Sequence, residues 1–565
     1  MSKQTEQPMS TPIVSEEPVT ELTQEPVTEE DLSTQESKSS IKSKQSLSNA
    51  VNEFKKWISL TGLSEKKHQI EGIKWCLSRE LNLLNGIRGG LVADEMGLGK
   101  TILMLGLIIS NFKPGGTIII VPPALLSQWS KEIERLFGHS PATYHGKTLK
   151  DVRSRLENGE KLPIVITTYG IIMSRKKEDV IFQNTWFRMI CDEAHHMRNK
   201  KSKLFLKMKY VKAEIKWLST GTPIQNKATD LLSLCKVLGL DKEMEKTPSL
   251  TKNIILAHSL RRTKKDTDIE LPPIKYHMVS VPWLSEKERD FAADVHSQLA
   301  FPKVTRLSVS RAVSFLGGSS PLPWLTRARQ VCIFPHLLNK SVKTLIDEGV
   351  VDESCDLRNI KTTSKITSIV RKITERKNNR RRKLVFCHYS GEIDLLEALL
   401  KNQGISTVII DGRQSTKEKK FATTRLITEQ SFRTVCKKWS STNFAYRLIS
   451  DFMAPDVCLC QIQTCSEGLN LQHFQEIYFS SPWWNPALED QAVARAHRIG
   501  QEQPVDVFRF VLENFGDDSK SLDQYCIEVQ NMKRDISNKY LRASEKKADA
   551  VLDIKYNKRS FRFEI

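Results

Sequence analysis

No run of about 18 apolar residues occurs in the chain, so nothing in it reads as a membrane-spanning helix. The first residues are polar and acidic, without the basic start and apolar stretch of a secretory signal, and an intracellular protein is expected. Paired CxxC spacing is missing as well. The 11 cysteines are scattered, and the nearest group, Cys458, Cys460 and Cys465, falls on an apolar run that reads as a strand. Buried reduced thiols are expected there rather than a zinc site. Residues 1–48 lack aromatics altogether; they are rich in Ser, Thr, Glu, Gln and Pro and cannot bury enough surface to fold alone. That stretch repeats Glu-Pro-Val-Thr-Glu at 17–21 and 25–29 and reads as a disordered tail, with a docking peptide as the alternative.

Acidic charge is scarce outside that tail. Lys and Arg number 86 against 66 Asp and Glu, a formal net charge of +20. Residues 1–37 hold nine acids and one base, so they carry −8 and leave +28 for the rest. An excess of that sign suits a polyanionic partner, because neutralising phosphates releases counterions. Charge alone does not separate a nucleic-acid binder from a basic protein that binds none. At 565 residues the chain is too long for one ordinary core, and two or three domains are expected.

Short apolar runs alternate with amphipathic stretches from about residue 50 to 240: Gly90–Ala93, Thr117–Val121, Ile164–Thr168, Met189–Cys191 and Lys216–Ser219. That alternation predicts a parallel sheet covered by helices. Residues 241–375 are charged and helix-favouring, and read as a helical insertion or linker. A second α/β unit opens at Leu384–Cys387 and continues through Thr407–Asp411, Val457–Gln461, Glu476–Ser480 and Val505–Val511. The predicted organisation is therefore a tail (1–48), a first lobe (49–240), the helical region (241–375), a second lobe (376–515) and a charged helical tail (516–565). The basic cluster Arg380–Arg382 reads either as a nuclear import signal or as a solvated loop before a strand.

The sharpest local signal is Asp94-Glu95-Met96-Gly97-Leu98-Gly99-Lys100-Thr101, set between an apolar run and a helix. Strand, glycine loop and helix start form a phosphate cradle: backbone N–H groups and the helix dipole meet the phosphates. Lys100 would neutralise the β and γ phosphates and Thr101 would hold Mg²⁺. The usual first glycine of the pattern is replaced by Asp94, and a chance glycine loop is the competing reading. Downstream, Asp192-Glu193-Ala194-His195 follows a strand. Asp192 would bind Mg²⁺, and Glu193 would orient and deprotonate the attacking water. A lone Asp-Glu pair is usually surface; its place after a Gly-Lys-Thr loop is what makes it a catalytic candidate. Far along the chain, Arg495 and Arg498 stand three apart within Gln491–Gln501, on one face of a short helix, as candidates to stabilise the leaving phosphate.

Taken in order, these segments resemble the superfamily-two helicases, and specifically the SWI/SNF-like family of chromatin-remodelling and DNA-translocating ATPases. Lys67-His68-Gln69 with Gly72 and Trp75 is similar to that family's adenine-recognition segment, which implicates Gln69, and Asp94–Thr101 to its first motif. Ile118–Trp129 and Thr167-Thr168-Tyr169 resemble two motifs that in the family touch the DNA backbone. Asp192–His195 matches the DEAH form, and Ser219–Asn226 the coupling motif. Leu260-Arg261-Arg262-Thr263-Lys264 with Leu271-Pro272 is a further hallmark. Leu384–Tyr389, Asp411-Gly412, Ser466–Leu471, Trp483–Pro486 and Gln491–Gln501 follow in the second lobe. The likeness spans roughly residues 55–515. More than forty residues separate Asp411-Gly412 from Val457, about twice the family's usual spacing. Part of 417–447 therefore reads as a basic insertion, either a DNA contact or a tolerated surface loop.

The resemblance implies two tandem RecA-like parallel-sheet lobes with helical insertions. It implies an ATP-binding site made of Gln69, the whole stretch Asp94, Glu95, Met96, Gly97, Leu98, Gly99, Lys100 and Thr101, and Gln491. The implied activity is ATP hydrolysis with Mg²⁺, coupled to movement along double-stranded DNA by a monomeric motor. Nucleosomes or transcription complexes are the implied cargo, in a nucleus or at a site of viral DNA transcription. A strand-separating DNA or RNA helicase, and a DNA-binding scaffold without turnover, are the alternatives.

Overall fold

The structure is a computed structural model and describes residues 29–541 except 226–227, 247, 302–303, 305–320, 362, 414–455, 466–470 and 517–518. The duplicated pentapeptide, Asn226, most of Ser466–Leu471 and the 417–447 insertion fall outside the described residues. The chain divides into Met1–Asn49 and Ala50–Ile565. The helix Glu29–Leu60 begins in the first unit and ends in the second, so the expected tail boundary at 48 falls inside a helix.

Two parallel sheets lie in the second unit. The first orders β3 (Ala142–Thr143), β4 (Ile164–Thr168), β2 (Thr117–Val121), β5 (Thr185–Asp192), β6 (Lys212–Ser219), β1 (Gly89–Val92) and β7 (Ser259–Leu260). β2 and β4 read Thr-Ile-Ile-Ile-Val and Ile-Val-Ile-Thr-Thr and are buried at every residue. β-Branched side chains suit the pleat, and burial on both faces is the mark of a parallel sheet with helices above and below. The second sheet orders β10 (Thr407–Ile410), β11 (Val457–Gln461), β9 (Lys383–Cys387), β12 (Glu476–Phe479), β13 (Val505–Leu512) and β8 (Ile274–Val281), again all parallel.

β8 corrects the sequence reading. The region 241–375 is not purely a helical insertion: it supplies β7 to the first sheet and β8 to the second, the latter paired over its whole length with β13. Ile274–Val281 is an edge strand with four consecutive exposed residues, so it lacks the apolar run that reveals a central strand. The crossing between lobes therefore lies within residues 261–273. The helices Glu286–His296, Pro321–Ile333 and Ser364–Glu375 pack into the second lobe's core.

The C-terminal helix, Leu522–Leu541, is likewise part of that core rather than a tail. Leu522, Tyr525, Cys526 and Val529 are buried in it. Asp523 pairs with buried Lys365 and also accepts from Ser481 Oγ at 2.6 Å and Leu512 N at 3.0 Å. Within the Arg380–Arg382 cluster, Arg381 is held by the fold: it pairs with Asp506 and donates to the carbonyls of Gln475 and Pro504, while Arg380 is exposed. Lys383 beside it is buried.

Candidate active site

Parallel strands bring the chemistry to one edge. Val92 at the end of β1 is in register with Ser219 at the end of β6, and Ser219 with Asp192 at the end of β5. The glycine loop, the Asp-Glu pair and the Ser-Thr-Gly-Thr-Pro segment thus leave the sheet side by side, at the carboxyl ends where α/β sheets bind ligands.

The helix after the loop, Lys100–Ser110, starts without a side-chain cap. Its N-cap residue is Gly99 at φ +80°, a left-handed conformation that leaves the first N–H groups free to face an anion. A Cβ on Gly99 would lie 2.5 Å from Gln69 Nε2, which places the adenine-side glutamine against the loop. The Lys100 ammonium rests on the carbonyl oxygens of Asp94 at 2.9 Å and Glu95 at 3.3 Å. Burial pulls its pKa below the usual lysine value, opposed by the carboxylates of Glu193, Asp192 and Asp94.

Asp192 is the most constrained carboxylate of the cleft. Its Oδ1 accepts from Ser219 Oγ and from Glu193 N, both at 3.0 Å, and its Oδ2 from Trp129 Nε1 at 2.9 Å. The Tyr169 hydroxyl donates to its backbone oxygen at 2.6 Å. Glu193 sits at φ +48°, a conformation costing a non-glycine residue about 1–3 kcal/mol, and the turn it makes aims its carboxylate into the cleft. Its Oε2 lies 3.3 Å from His195 Nδ1, outside hydrogen-bonding geometry, while that nitrogen pairs with Thr220 Oγ1 at 3.0 Å. Burial pushes the Asp192 carboxyl up, and the adjacent Glu193 charge adds to it. Burial also acts upward on Glu193, but the His195 ring, Lys100 and Arg495 outweigh it and hold that carboxyl well below the usual range.

From the second lobe come Gln491, Arg495 and Arg498. Gln491 is buried, with both its amide oxygen and its amide nitrogen unpaired, and Arg498 Nε is unpaired as well. Buried polar atoms rarely stay unpaired unless a ligand meets them. The expected placement of the two arginines on one helical face needs correction. The helix Pro486–Ala496 ends with Arg495 in its last turn, and Arg498 lies in the loop beyond His497.

A cleft of about 430 Å³ joins these groups: Gln69, Met96, Gly97, Gly99, Lys100 and Thr101 with Asp192 and Glu193 on one wall, Gln491, Arg495 and Arg498 on the other. Three predicted contacts do not line it. Asp94 is buried and its carboxylate accepts from Arg262 N at 3.0 Å and Arg262 Nε at 3.1 Å. The Glu95 carboxylate accepts from Lys264 N at 2.8 Å, and the Leu98 carbonyl pairs with His68 Nε2 at 3.1 Å. These residues hold the loop rather than the ligand. Asp94 stands where a glycine is usual because an ion pair, not a close backbone approach, fixes that corner.

Residues 261–264 had no assigned role and prove to be the seam of the site. Arg261 donates to the carbonyls of Ala93 and Gly221, and Arg262 to Asp94 and the His68 carbonyl. Lys264 reaches from Glu95, 3.8 Å away, to the His497 carbonyl in the second lobe at 2.7 Å. Gly72 belongs to the same seam: a Cβ there would lie 2.7 Å from Arg262 Nη2.

Thr101 and Asp192 offer hard oxygen donors beside the phosphate loop. That set fits Mg²⁺, which takes one or two protein oxygens and completes its shell with phosphates and water. Among the described residues no group of three or more metal-ligating side chains occurs, so the nucleotide would have to complete such a site.

The chain matches the SNF2-related domain over residues 68–337 and the helicase conserved C-terminal domain over residues 364–500. An uncharacterized ATP-dependent helicase of Mycoplasma genitalium is 26% identical over 84% of this chain and 42% of its own length. The ATP-dependent DNA helicase DDM1 of Arabidopsis thaliana is 27% identical over 80% and 59%. Chromodomain-helicase-DNA-binding protein 8 of Homo sapiens is 26% identical over 80% and 17%. The chain spans about half the length of the first curated relatives it matches. A solved structure, the Sulfolobus solfataricus SWI2/SNF2 ATPase core in complex with dsDNA, aligns with 86% of this chain and 96% of that one at 20% identity, with a TM-score of 0.34. With both domains matched in order and the nucleotide-binding motifs gathered in one cleft, the chain belongs to the SWI/SNF-like, SNF2-related family of helicase-type proteins.

Proposed function

We propose that this chain is a DNA-dependent ATPase that moves along duplex DNA and displaces or remodels what is bound ahead. The observation that carries the reading is the cleft itself: Lys100, Thr101, Asp192 and Glu193 of one lobe face Gln491, Arg495 and Arg498 of the other. Gln69 contacts the base, while the Gly97–Gly99 backbone and Lys100 cradle the phosphates. Glu193 orients a water for attack on the γ-phosphorus and takes its proton; the bond to the bridging oxygen breaks, leaving ADP and phosphate. Arg495 and Arg498 balance the charge that builds on the leaving oxygens, an effect worth about three to five orders of magnitude in related enzymes. A Mg²⁺ held by Thr101 and Asp192 would supply electrophilic assistance to the same oxygens.

Because the arginines and the phosphate loop belong to different lobes, the state of the nucleotide sets the lobe spacing, and each turnover resets it. The basic body, +28 outside residues 1–37, suits a phosphate backbone gripped without regard to sequence. Relatives named an ATP-dependent DNA helicase and a chromodomain-helicase-DNA-binding protein support DNA as the track, and nucleosomes or transcription complexes are the cargo proposed for it. A nuclear site, or a site of viral DNA transcription, belongs to the same proposal.

The test is ATP hydrolysis with duplex DNA, single strands, RNA and nucleosomes, alongside strand-separation assays. Stimulation by duplex DNA without unwinding is expected. Robust unwinding, or stimulation by RNA alone, refutes the translocase reading. Lys100→Ala and Glu193→Gln are expected to abolish turnover while DNA binding survives; unchanged hydrolysis in either refutes the assigned roles.

A further inference from the structure

His497 lies between the two arginines that reach the cleft, and neighbours from outside its helix hold its ring in one protonation state. It caps the helix Pro486–Ala496, its N–H donating to the Val493 carbonyl at 2.8 Å, and is 8% exposed. Its Nε2 lies 2.8 Å from the carbonyl oxygen of Pro272, in the crossing between the lobes. Its Nδ1 lies 3.5 Å from the Lys264 ammonium, which also donates to the His497 carbonyl at 2.7 Å.

A carbonyl oxygen only accepts, and an ammonium only donates. Nε2 must therefore carry the proton and Nδ1 must present its lone pair, so the ring is neutral and in one tautomer. A proton added at Nδ1 turns an acceptor into a donor that faces a donor. It also sets a second positive charge beside Lys264, with Arg495 and Arg498 on the same segment. The Glu95 carboxylate, 3.8 Å from the Lys264 ammonium, opposes that repulsion. Burial, with Lys264 adding to it, pulls the pKa of the ring below its usual 6.5 against the Pro272 bond and Glu95. The phosphate loop meets the same point: a Cβ on Gly97 would lie 3.6 Å from both Arg498 Cβ and Lys264 Cε.

We propose that His497 is a positioning residue whose neutral imidazole fastens Arg495 and Arg498 against the phosphate loop, so that a proton on the ring loosens these arginines and slows turnover. The link to turnover rests on the function proposed above; the tautomer does not. With the folded pKa lowered, the fastening is complete above pH 6.5 and is lost as pH falls below it.

A glutamine amide can donate to Pro272 and accept from Lys264, and it does not titrate. Steady-state turnover of the full chain, at saturating MgATP and duplex DNA, is followed from about pH 8 to about pH 5.5. The ratio of wild-type to His497→Gln kcat should fall about tenfold as pH drops through that range, the scale of one buried hydrogen bond. His497→Ala should lose about tenfold at the alkaline end, in kcat more than in KM, and His497→Gln should recover part of it. Imidazole nitrogen NMR, with the signal assigned by its absence from His497→Ala, should show an unprotonated Nδ1 above pH 6.5. Lys264→Met should raise the midpoint of that titration.

Parallel kcat–pH curves for the wild type and His497→Gln overturn the proposal, and so does a wild-type kcat in His497→Ala. If His497→Gln does not fold or is inactive at every pH, the spectra decide: a proton on Nδ1 at neutral pH, or a midpoint indifferent to Lys264→Met, overturns it. A wild-type chain that hydrolyses no ATP at any pH refutes the motor reading instead, and the same spectra still judge the state of His497.

Discussion

Replacing Glu80 by Gln should destabilise the first lobe by several kcal/mol, about 3–5. Glu80 lies on the helix Lys67–Leu81, the helix that also carries Gln69, and its carboxylate is fully buried. It receives four donors: Arg188 Nε at 2.6 Å, Arg188 Nη2 at 2.7 Å, Trp217 Nε1 at 2.7 Å and Asn111 Nδ2 at 2.8 Å. A glutamine has one acceptor oxygen and adds two donors, so it cannot satisfy a bidentate guanidinium and two further N–H groups. Arg188, 1% exposed, would be left as an uncompensated buried charge, which costs about 3–5 kcal/mol. A two-lobe chain does not unfold in one step, so the assay is amide hydrogen exchange on β5 and β6 rather than a global melt. A loss of about 3 kcal/mol corresponds to roughly two orders of magnitude in protection. The double replacement Glu80→Leu with Arg188→Met leaves no buried charge and should be less damaging than either single change. Protection reduced less than about tenfold in Glu80→Gln, or a double variant as unstable as the sum of its parts, would refute the reasoning. Turnover should fall as well, because Arg188 and Trp217 share their strands with Asp192 and Ser219.

Lys264→Ala should lower turnover at saturating ATP by roughly tenfold or more, on the scale of one charge-assisted hydrogen bond, with Lys264→Arg recovering part of it. Steady-state kinetics check this, and a wild-type kcat in Lys264→Ala would exclude the residue as the link between the phosphate loop and the arginine-bearing segment. His296 gives a pH prediction. It is buried, its Nδ1 pairs with the Ala292 carbonyl at 2.7 Å, and its Nε2 accepts from Leu522 N at 3.1 Å, so it is neutral in the fold. Burial lowers its pKa from 6.5 to about 4. With the folded value below the unfolded one, its contribution is complete above pH 6.5 and is lost as pH falls toward 4, by about 3 kcal/mol at most. Amide hydrogen-exchange protection factors of the helix Leu522–Leu541 should drop more steeply across that window for the wild type than for His296→Gln; parallel curves would show that His296 does not titrate this way.

The parts of this molecule legible from sequence are those whose physics is local. Thr117–Val121, Ile164–Thr168 and Val457–Gln461 coincide with predicted runs, because a strand buried on both faces is apolar over most of its length. The loop from Asp94 to Thr101 was legible for the same reason, since a strand, glycines and a helix start are contiguous. What stayed hidden are partnerships between distant segments. Asp94 and Arg262 are 168 positions apart, and nothing in either neighbourhood announces that one is the counter-ion of the other. The resemblance assigned Asp94, Glu95 and Leu98 to the nucleotide with the rest of the motif; the Asp94 and Glu95 carboxylates and the Leu98 carbonyl pair with Arg262, Lys264 and His68. β8 was missed because an edge strand need not alternate or run apolar when four consecutive residues, Lys275–Met278, face water.

Trp129 unites the two cases. Its segment was legible as a motif, and by resemblance it was placed on the DNA. Its indole nevertheless ends on Asp192, 63 positions away, inside the nucleotide cleft. A motif is a stretch of chain, and a stretch of helix has two faces and two ends, so one motif can serve two ligands at once. Pro123 starts the helix at the sheet edge, and Trp129 lies nearly two turns further along. About 9 Å of rigid helix therefore separates the sheet edge from the side chain that holds the Asp192 carboxylate.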